Sequence, residues 1–394
     1  MSKDTLANFI VLPELVSWDV KSSGGQVYSW CVKDPKTEYC PKCASPSNSS
    51  HDSRRVVIKD APIRDHGVTL YIRKRRLWCK PCGKPFTEPV PGIRKGKRHT
   101  ERYAASVAWA CDKFADLKSV RRTYKCSAHF VYHAHYSRLE RQVKEKINYP
   151  WTSTIGIDEH SFRRNPQTRR MEFASFIIDY DKKRAREIVL GKTCEELKAS
   201  LGSIPGRENV KNAVIDMCDP FKNFIGEFFP NAAITADKFH VLRLLSPALL
   251  RRRKEITGTR ADVKAKRLLL MSAKNLDYSS ALTLRRFLES YPELHELYVW
   301  KERLHGFYRI RGHKHASRAF TAMTDAMALS QLPEIKTLRK TLLKWRVEIL
   351  NYFLSRITNA RTEGFNNKAK VVKRRAYGYR SFRNYRLKVL TACV

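Results

Sequence analysis

Two short strings, Cys40-Pro-Lys-Cys43 and Cys79-Lys-Pro-Cys82-Gly83, constrain this chain more than any other feature. Each C-x-x-C turn presents two thiolates to one side, and two such turns complete a tetrahedral Zn2+ shell. Gly83 provides a residue free to adopt positive φ behind the second knuckle. The turns are separated by 35 residues, more than the ~15–20 of a compact ribbon. The alternating stretches Arg54 to Ile58 and Thr69 to Trp78 fill the gap as strands of a zinc ribbon. Two unrelated turns are the bland reading, and a single redox pair would leave the second knuckle unexplained. A closed four-cysteine shell has no open coordination position, so this zinc holds shape and does no chemistry. Within the hairpin, Arg73-Lys74-Arg75-Arg76 reads as an edge that contacts phosphates. Ten cysteines in 394 residues are too sparse for a disulfide scaffold, and a reducing compartment is expected.

The partner follows from charge. Lys and Arg number 77 against 38 Asp and Glu, a formal net charge of +39, which concentrates polyanions around the chain and excludes an ordinary metabolic enzyme. Double-stranded DNA is the expected partner. Hydrophobic residues make up 42%, enough for real cores and too much for a disordered basic tail. No apolar run is long enough to cross a membrane, and Met1 to Trp18 lacks the basic start of a signal peptide. The expected location is therefore cytoplasmic, in association with the nucleoid. The charge is uneven: residues 51–150 hold 24 basic and 9 acidic side chains, residues 151–250 hold 15 and 13, and residues 351–394 hold 11 and one, Glu363. A near-neutral middle between basic flanks suggests a folded core with DNA-facing ends.

After the Pro/Gly-rich linker Pro89 to Lys97, apolar residues recur at helical spacing from Tyr103 to Phe114, break near Asp116, and resume from Val120 to Leu139. This predicts three helices of helix-turn-helix type, with Ser127 capping the reading helix and Arg121 and Arg122 facing DNA. Cys126, His129 and His133 share one predicted helix without a fourth ligand, so no second metal is expected there.

In the middle of the chain, Thr154 to Asp158, Met171 to Tyr180 and Ala185 to Leu190 read as a three-strand meander. A helix at Cys194 to Leu201, a strand at Ala213 to Asp216, a helix at Pro220 to Phe229, a strand at Ala232 to Thr235 and a helix at Phe239 to Arg253 follow. That order is the order of a ribonuclease-H-like fold. Asp158 and Asp216 both terminate strands, and α/β sheets bind ligands at the carboxyl ends of strands. Two carboxylates side by side call for divalent cations, and oxygen donors suit Mg2+ or Mn2+. Paired ions of this kind support phosphoryl transfer. Glu363 is the candidate third ligand, on a predicted helix where Asn359, Glu363, Asn366, Asn367 and Lys370 share a polar face. Asp237 follows a strand as well and is held as a substitute or supporting ligand, and Glu159, His160 and Asn367 as neighbours of the site.

The strings Ile157-Asp158-Glu159-His160-Ser161-Phe162, Asp216-Met217, Asp237-Lys238-Phe239-His240-Val241 and Thr362-Glu363-Gly364-Phe365-Asn366-Asn367-Lys368, followed by Arg374-Arg375-Ala376-Tyr377-Gly378, closely resemble the bacterial insertion-sequence transposases of the ISL-three family. The resemblance covers nearly the whole chain. It implies an Asp-Asp-Glu triad of Asp158, Asp216 and Glu363, an N-terminal zinc ribbon and a helix-turn-helix.

The expected architecture is multidomain, α+β and α/β. A zinc ribbon spans 1–92, a helix-turn-helix DNA-binding domain 93–150, and a ribonuclease-H-like core 151–254. An all-helical insertion over 255–345 interrupts the core, which resumes over 346–394 with the Glu-bearing helix and a basic tail. The expected function is a DNA transposase, a homodimer or larger on DNA. It binds terminal inverted repeats, hydrolyses DNA at the element's ends and joins the 3′-hydroxyls to target DNA. Arg251, Arg252, Lys373, Arg374 and Arg375 are expected on phosphates, with Tyr377 and Tyr379 available for base stacking. The competing readings are a zinc-dependent DNA-binding regulator with an inactive core and a structure-specific nuclease. Gly191-Lys192-Thr193 has Arg186 where a P-loop needs its first glycine, so no nucleotide triphosphate is expected.

Overall fold

The computed structural model describes residues 12–114, 116–258 and 263–393. The first eleven residues, where no signal peptide is expected, lie outside the described residues. The chain divides into two compact units, Met1–Arg141 and Gln142–Val394. No helix among the described residues is long and apolar enough to cross a membrane.

The first unit is built on a five-stranded sheet of β1 (Leu15–Ser23), β2 (Gln26–Lys33), β5 (Ser50–Ile63), β6 (His66–Cys79) and β7 (Lys84–Thr87); the short pair β3 (Glu38–Tyr39) and β4 (Pro46–Ser47) stands apart. The order is β1-β2-β6-β5, with β7 also paired to β6. The hairpin expected between the knuckles is present, longer than the sequence suggested, and a second hairpin, β1–β2, precedes it. The strand carrying Arg73 to Arg76 is not an edge. It pairs with β5 along one side and with β2 and then β7 along the other. Ile58, Val68, Leu70, Ile72 and Cys31 form its buried face.

Three helices follow: α1 (Glu101–Lys113), α2 (Leu117–Thr123) and α3 (Ala128–Ile147). Each begins at a side chain that satisfies an otherwise unpaired amide. Thr100 accepts from Tyr103 N–H, Asp116 from Ser119 N–H at 2.8 Å, and Ser127 from Phe130 N–H at 3.1 Å. Buried Asp60 at the end of β5 accepts from Thr100 Oγ1 at 2.6 Å and from Arg102 Nε at 2.7 Å, fixing α1 against the sheet.

The second unit holds a sheet in the order β10-β9-β8-β11-β12, made of β8 (Thr154–Arg164), β9 (Met171–Asp179), β10 (Arg184–Leu190), β11 (Asn212–Ile215) and β12 (Ala233–Ala236). β8, β9 and β10 are antiparallel neighbours, whereas β8, β11 and β12 run parallel. Side chains alternate across β8. Ile155 and Ile157 join a core with α4 (Cys194–Leu201) and α5 (Asp219–Phe228) through Leu197, Phe221 and Phe224. Gly156, Asp158 and His160 turn to the opposite face. The helix expected over Phe239 to Arg253 is two helices, α6 (Lys238–Arg243) and α7 (Ser246–Thr257), because Pro247 at the start of α7 has no amide to continue the turn. The next part of the chain is helical: α8 (Val263–Leu270), α9 (Tyr278–Glu289), α10 (Pro292–Phe307), α11 (His313–Ala328) and α12 (Pro333–Lys344). α13 (Arg346–Ser355), α14 (Ala360–Arg375) and α15 (Phe382–Ala392) complete the unit.

Candidate active site and nucleic-acid surfaces

Register sets the acids. In the parallel part of the sheet Ile157 pairs with Ile215, and Ile215 with Ala236. The next residue on each chain is Asp158, Asp216 and Asp237, so three carboxylates stand in one row. Asp216 and Asp237 follow the last residues of their strands as expected. Asp158 does not, because β8 continues to Arg164 on its antiparallel pairing with β9. It sits where β8 loses its parallel neighbour, which puts it beside the other two all the same. Burial, and after it the charge of Asp216, pushes the Asp158 carboxyl up to about 7.

α14 lies across this row because β8 has no side chain at Gly156. A Cβ there would stand 2.5 Å from Thr362 Oγ1 and 2.5 Å from Tyr180 Cε2. Tyr180 donates to the Thr358 carbonyl at 3.0 Å and meets Thr362 Oγ1 at 2.9 Å, fixing the start of the helix. Asn359 Nδ2 donates to Asp216 Oδ1 at 3.2 Å, and the Asn359 amide to Asp237 Oδ1 at 3.1 Å. Two turns further on, Asn366 donates to Asp158. Glu363 occupies the same helical stripe between these asparagines, one turn from each, with its side chain exposed. Among the described residues, the ligand atoms that lie within 4.8 Å of one another here are those of Asp216, Asp237 and His240; Glu363 and Asp158 are not in that group.

His240 lies in the string Asp237-Lys238-Phe239-His240-Val241, but the sequence alone does not show its place in the site. Its Nδ1 lies 2.9 Å from Asp216 Oδ1 and 2.8 Å from Asp237 Oδ2. The two carboxylates, Asp216 first, raise its pKa to about 10, so the imidazolium carries positive charge between them. The one available signal was the spacing of three from Asp237, whose side chain also caps α6 by accepting from His240 N–H.

The expected neighbours of the site divide. His160 is buried, with Nε2 2.6 Å from Tyr385 Oη and Nδ1 3.3 Å from Asn366 Oδ1. Burial holds its pKa down at about 4, so the ring is neutral and positions the asparagine that holds Asp158. Glu159 pairs with Lys192 at 3.3 Å, and Asn367 is exposed.

The four knuckle thiols converge. Cys43 Sγ and Cys79 Sγ are 3.5 Å apart, Cys40 Sγ and Cys82 Sγ 3.9 Å, and all four lie within 4.8 Å of one another. Tetrahedral Zn–S bonds of ~2.3 Å make sulfur–sulfur edges of roughly 3.8 Å, so the set has the dimensions of a structural zinc site.

Several residues assigned to phosphates have other partners. Arg75 is held by buried Glu88 at 2.8 Å and Arg76 by Asp52 at 2.7 Å. Arg252 bridges Glu334 at 2.7 Å and Glu293 at 3.1 Å, so it ties helices together. Lys373 donates to the carbonyls of Ser161 at 2.6 Å and Phe162 at 3.2 Å, and Tyr379 packs on Tyr385. Lys74 is half-buried and Arg73 donates to Ser53 Oγ at 3.0 Å while exposed. Arg121, Arg122, Arg251, Arg374, Arg375 and Tyr377 are exposed.

A family model for transposases, that of the ISL3 group of DDE transposases, matches residues 155–389. The zinc-finger of transposase IS204/IS1001/IS1096/IS1165 matches residues 36–82, which hold the first three of the four cysteines and end on the fourth. The transposase for insertion sequence element IS1001 of Bordetella parapertussis is 26% identical over 397 residues, spanning 96% of this chain and 94% of that protein. With a zinc ribbon at one end and a transposase core over most of the remainder, this chain belongs to the ISL3 family of transposases.

Proposed function

We propose that the chain binds the terminal inverted repeats of an insertion sequence, hydrolyses DNA at the two ends and joins the freed 3′-hydroxyls to target DNA. Its core is ribonuclease-H-like on this reading, with Asp158, Asp216 and Glu363 as the catalytic acids. The observation that carries it is the helix of Glu363, bound at Asn359 to Asp216 and at Asn366 to Asp158. Nothing about a storage or purely binding role asks for two amides placed on two crowded carboxylates.

The donor set fits a hard divalent cation. The carboxylates lie side by side, and burial first and the Asp216 charge second raise the Asp158 pKa, an unfavourable charge state that such an ion relieves. Asp158, Asp216 and Glu363 would hold Mg2+ or Mn2+, with Asp237 in reserve behind Asp216. Bound there, the ions supply activation of the attacking oxygen and stabilisation of the leaving one. The chain's own residues set the geometry. Asn359 and Asn366 fix which carboxylate oxygens remain free, neutral His160 holds Asn366, and His240 offsets the charge of Asp216 and Asp237. Exposed Arg374, Arg375 and Tyr377 at the end of the same helix stand ready for DNA. α1 to α3 serve as the helix-turn-helix, and joining two ends together calls for a dimer or larger assembly.

A strand-transfer assay with Mg2+ on end-bearing DNA tests the reading. Glu363→Gln abolishes both cleavage and joining and leaves DNA affinity within about twofold of the parent, since a metal-bound carboxylate contributes orders of magnitude to rate and little to binding. Cleavage by that variant would remove Glu363 from the site. Cleavage by the parent without joining would identify a nuclease.

A further inference from the structure

Between the ribbon sheet and the helices of the first unit runs a groove of about 1300 Å³. Its lining includes twelve lysines and arginines and a single carboxylate, Glu88. That carboxylate is already committed to Arg75, through the backbone N–H at 2.7 Å and the guanidinium at 2.8 Å. Arg76 and Arg94 pair with Asp52 at 2.7 Å and Glu101 at 2.6 Å, both outside the lining, and no further carboxylate lines the groove beside the other cations.

Resting on the reading that the chain binds DNA ends, we propose that this groove cradles one phosphodiester backbone of the terminal duplex. Its walls come from three places. Arg54 and Lys74 face each other across neighbouring strands. The exposed loop of Lys97 and Arg98 forms the second wall. The third is the start of α3, where Lys125, Cys126 and Ser127 line the groove. α3 is 20 residues long and its first amides carry partial positive charge, which favours an anion at that end. Lys59 Nζ donates to the Lys125 carbonyl at 2.5 Å and so ties the strand to the turn before the helix.

Crowding of like charge supports the same occupant. Burial lowers the pKa of Lys74, and the neighbouring charges of Arg54 and Lys33 lower it further against the pull of Glu88. A polyanion relieves that repulsion, whereas a neutral or cationic partner does not. Half-buried Phe130 among the lining residues offers apolar surface to sugars. Contacts of this kind position a duplex without reading it. The groove would therefore set the register in which the exposed face of α3, with His129, Tyr132 and His133, meets base edges.

The test is the salt dependence of DNA binding by the full zinc-loaded chain, measured by fluorescence anisotropy on an end-bearing duplex and on an unrelated one. Each phosphate contact removed takes about 0.9 off the slope of log affinity against log salt. Lys97→Ala and Arg98→Ala, on an exposed loop, are expected to show that drop on both duplexes, and Lys74→Met, which keeps the buried stem, the same. Lys21→Ala, on the far hairpin, serves as the control with an unchanged slope. Wild-type slopes in all three groove variants overturn the groove proposal and leave the DNA reading standing, as does a loss confined to the end-bearing duplex. A parent chain that binds neither duplex overturns the DNA reading and the groove with it.

Discussion

Gly156 shows how much of the site rests on a missing side chain. Its hydrogen lets Thr362 and Tyr180 approach the strand, and α14 reaches the carboxylates because of it. Gly156→Ala is expected to destabilise the second unit by about 1–3 kcal/mol, the usual range for overpacking, seen as a lowered melting temperature. Strand transfer should fall further than that loss of folded protein explains, because the added methyl displaces Glu363's helix. Unchanged turnover per folded molecule would mean that α14 does not need this seat. The candidate acids Asp158, Asp216 and Glu363 were drawn from the sequence, the first two as strand ends and the third as the only acid among eleven basic residues, although Asp158 lies within β8 rather than at its end. His240 was not, since an exposed histidine after a strand carries no mark of two carboxylates converging on it from different segments. Arg75, Arg76 and Arg252 read as free cations for the same reason: Glu88, Asp52 and Glu334 reach them only through tertiary structure.

Elements were legible where periodicity is local. The helix Cys194–Leu201 and the polar stripe Asn359–Glu363–Asn366 follow directly from spacing, and the structure turns that stripe onto the acids. Strand extent was not legible. β8 runs six residues past Asp158 because β9 pairs with it there, and β6 is interior because β2 pairs with it in parallel from outside the hairpin. The β2–β6 pairing joins segments as far apart as Gln26 and Gly67, which no local pattern reports, whereas the extension of β8 is a hairpin closing at Arg164 and Met171 whose length depends on packing rather than on spacing. Asp237 belongs to this scale, since one side chain both caps α6 and stands in the acid row. Asp237→Asn keeps a good cap and should leave thermal stability nearly unchanged, whereas Asp237→Ala is expected to cost about 1 kcal/mol. If Glu363 completes the site, Asp237→Asn also retains measurable strand transfer where Glu363→Gln has none. Equal inactivity of the two would move Asp237 among the metal ligands.

At the scale of the molecule, the two units hold separate cores, one around Leu70 and Ile72 and the other around Ile157, Phe221 and Leu304. The cysteine cluster packs with Leu77 and Phe86 in the first unit alone. Calorimetry should accordingly resolve two transitions, and a chelator that strips zinc should lower the one belonging to residues 1–141 and leave the other in place. A shift of both would show that the units unfold together. The charge arithmetic that pointed to a polyanion belongs to this scale, although it could not say that twelve of the lysines and arginines line one groove. The tie between α14 and the strand acids has a consequence for biosynthesis. A ribosome delivers the basic N-terminal unit and both strand aspartates well before the helix that carries the remaining acid. On the proposed reading, a nascent or prematurely terminated polypeptide would cling to the chromosome without breaking it.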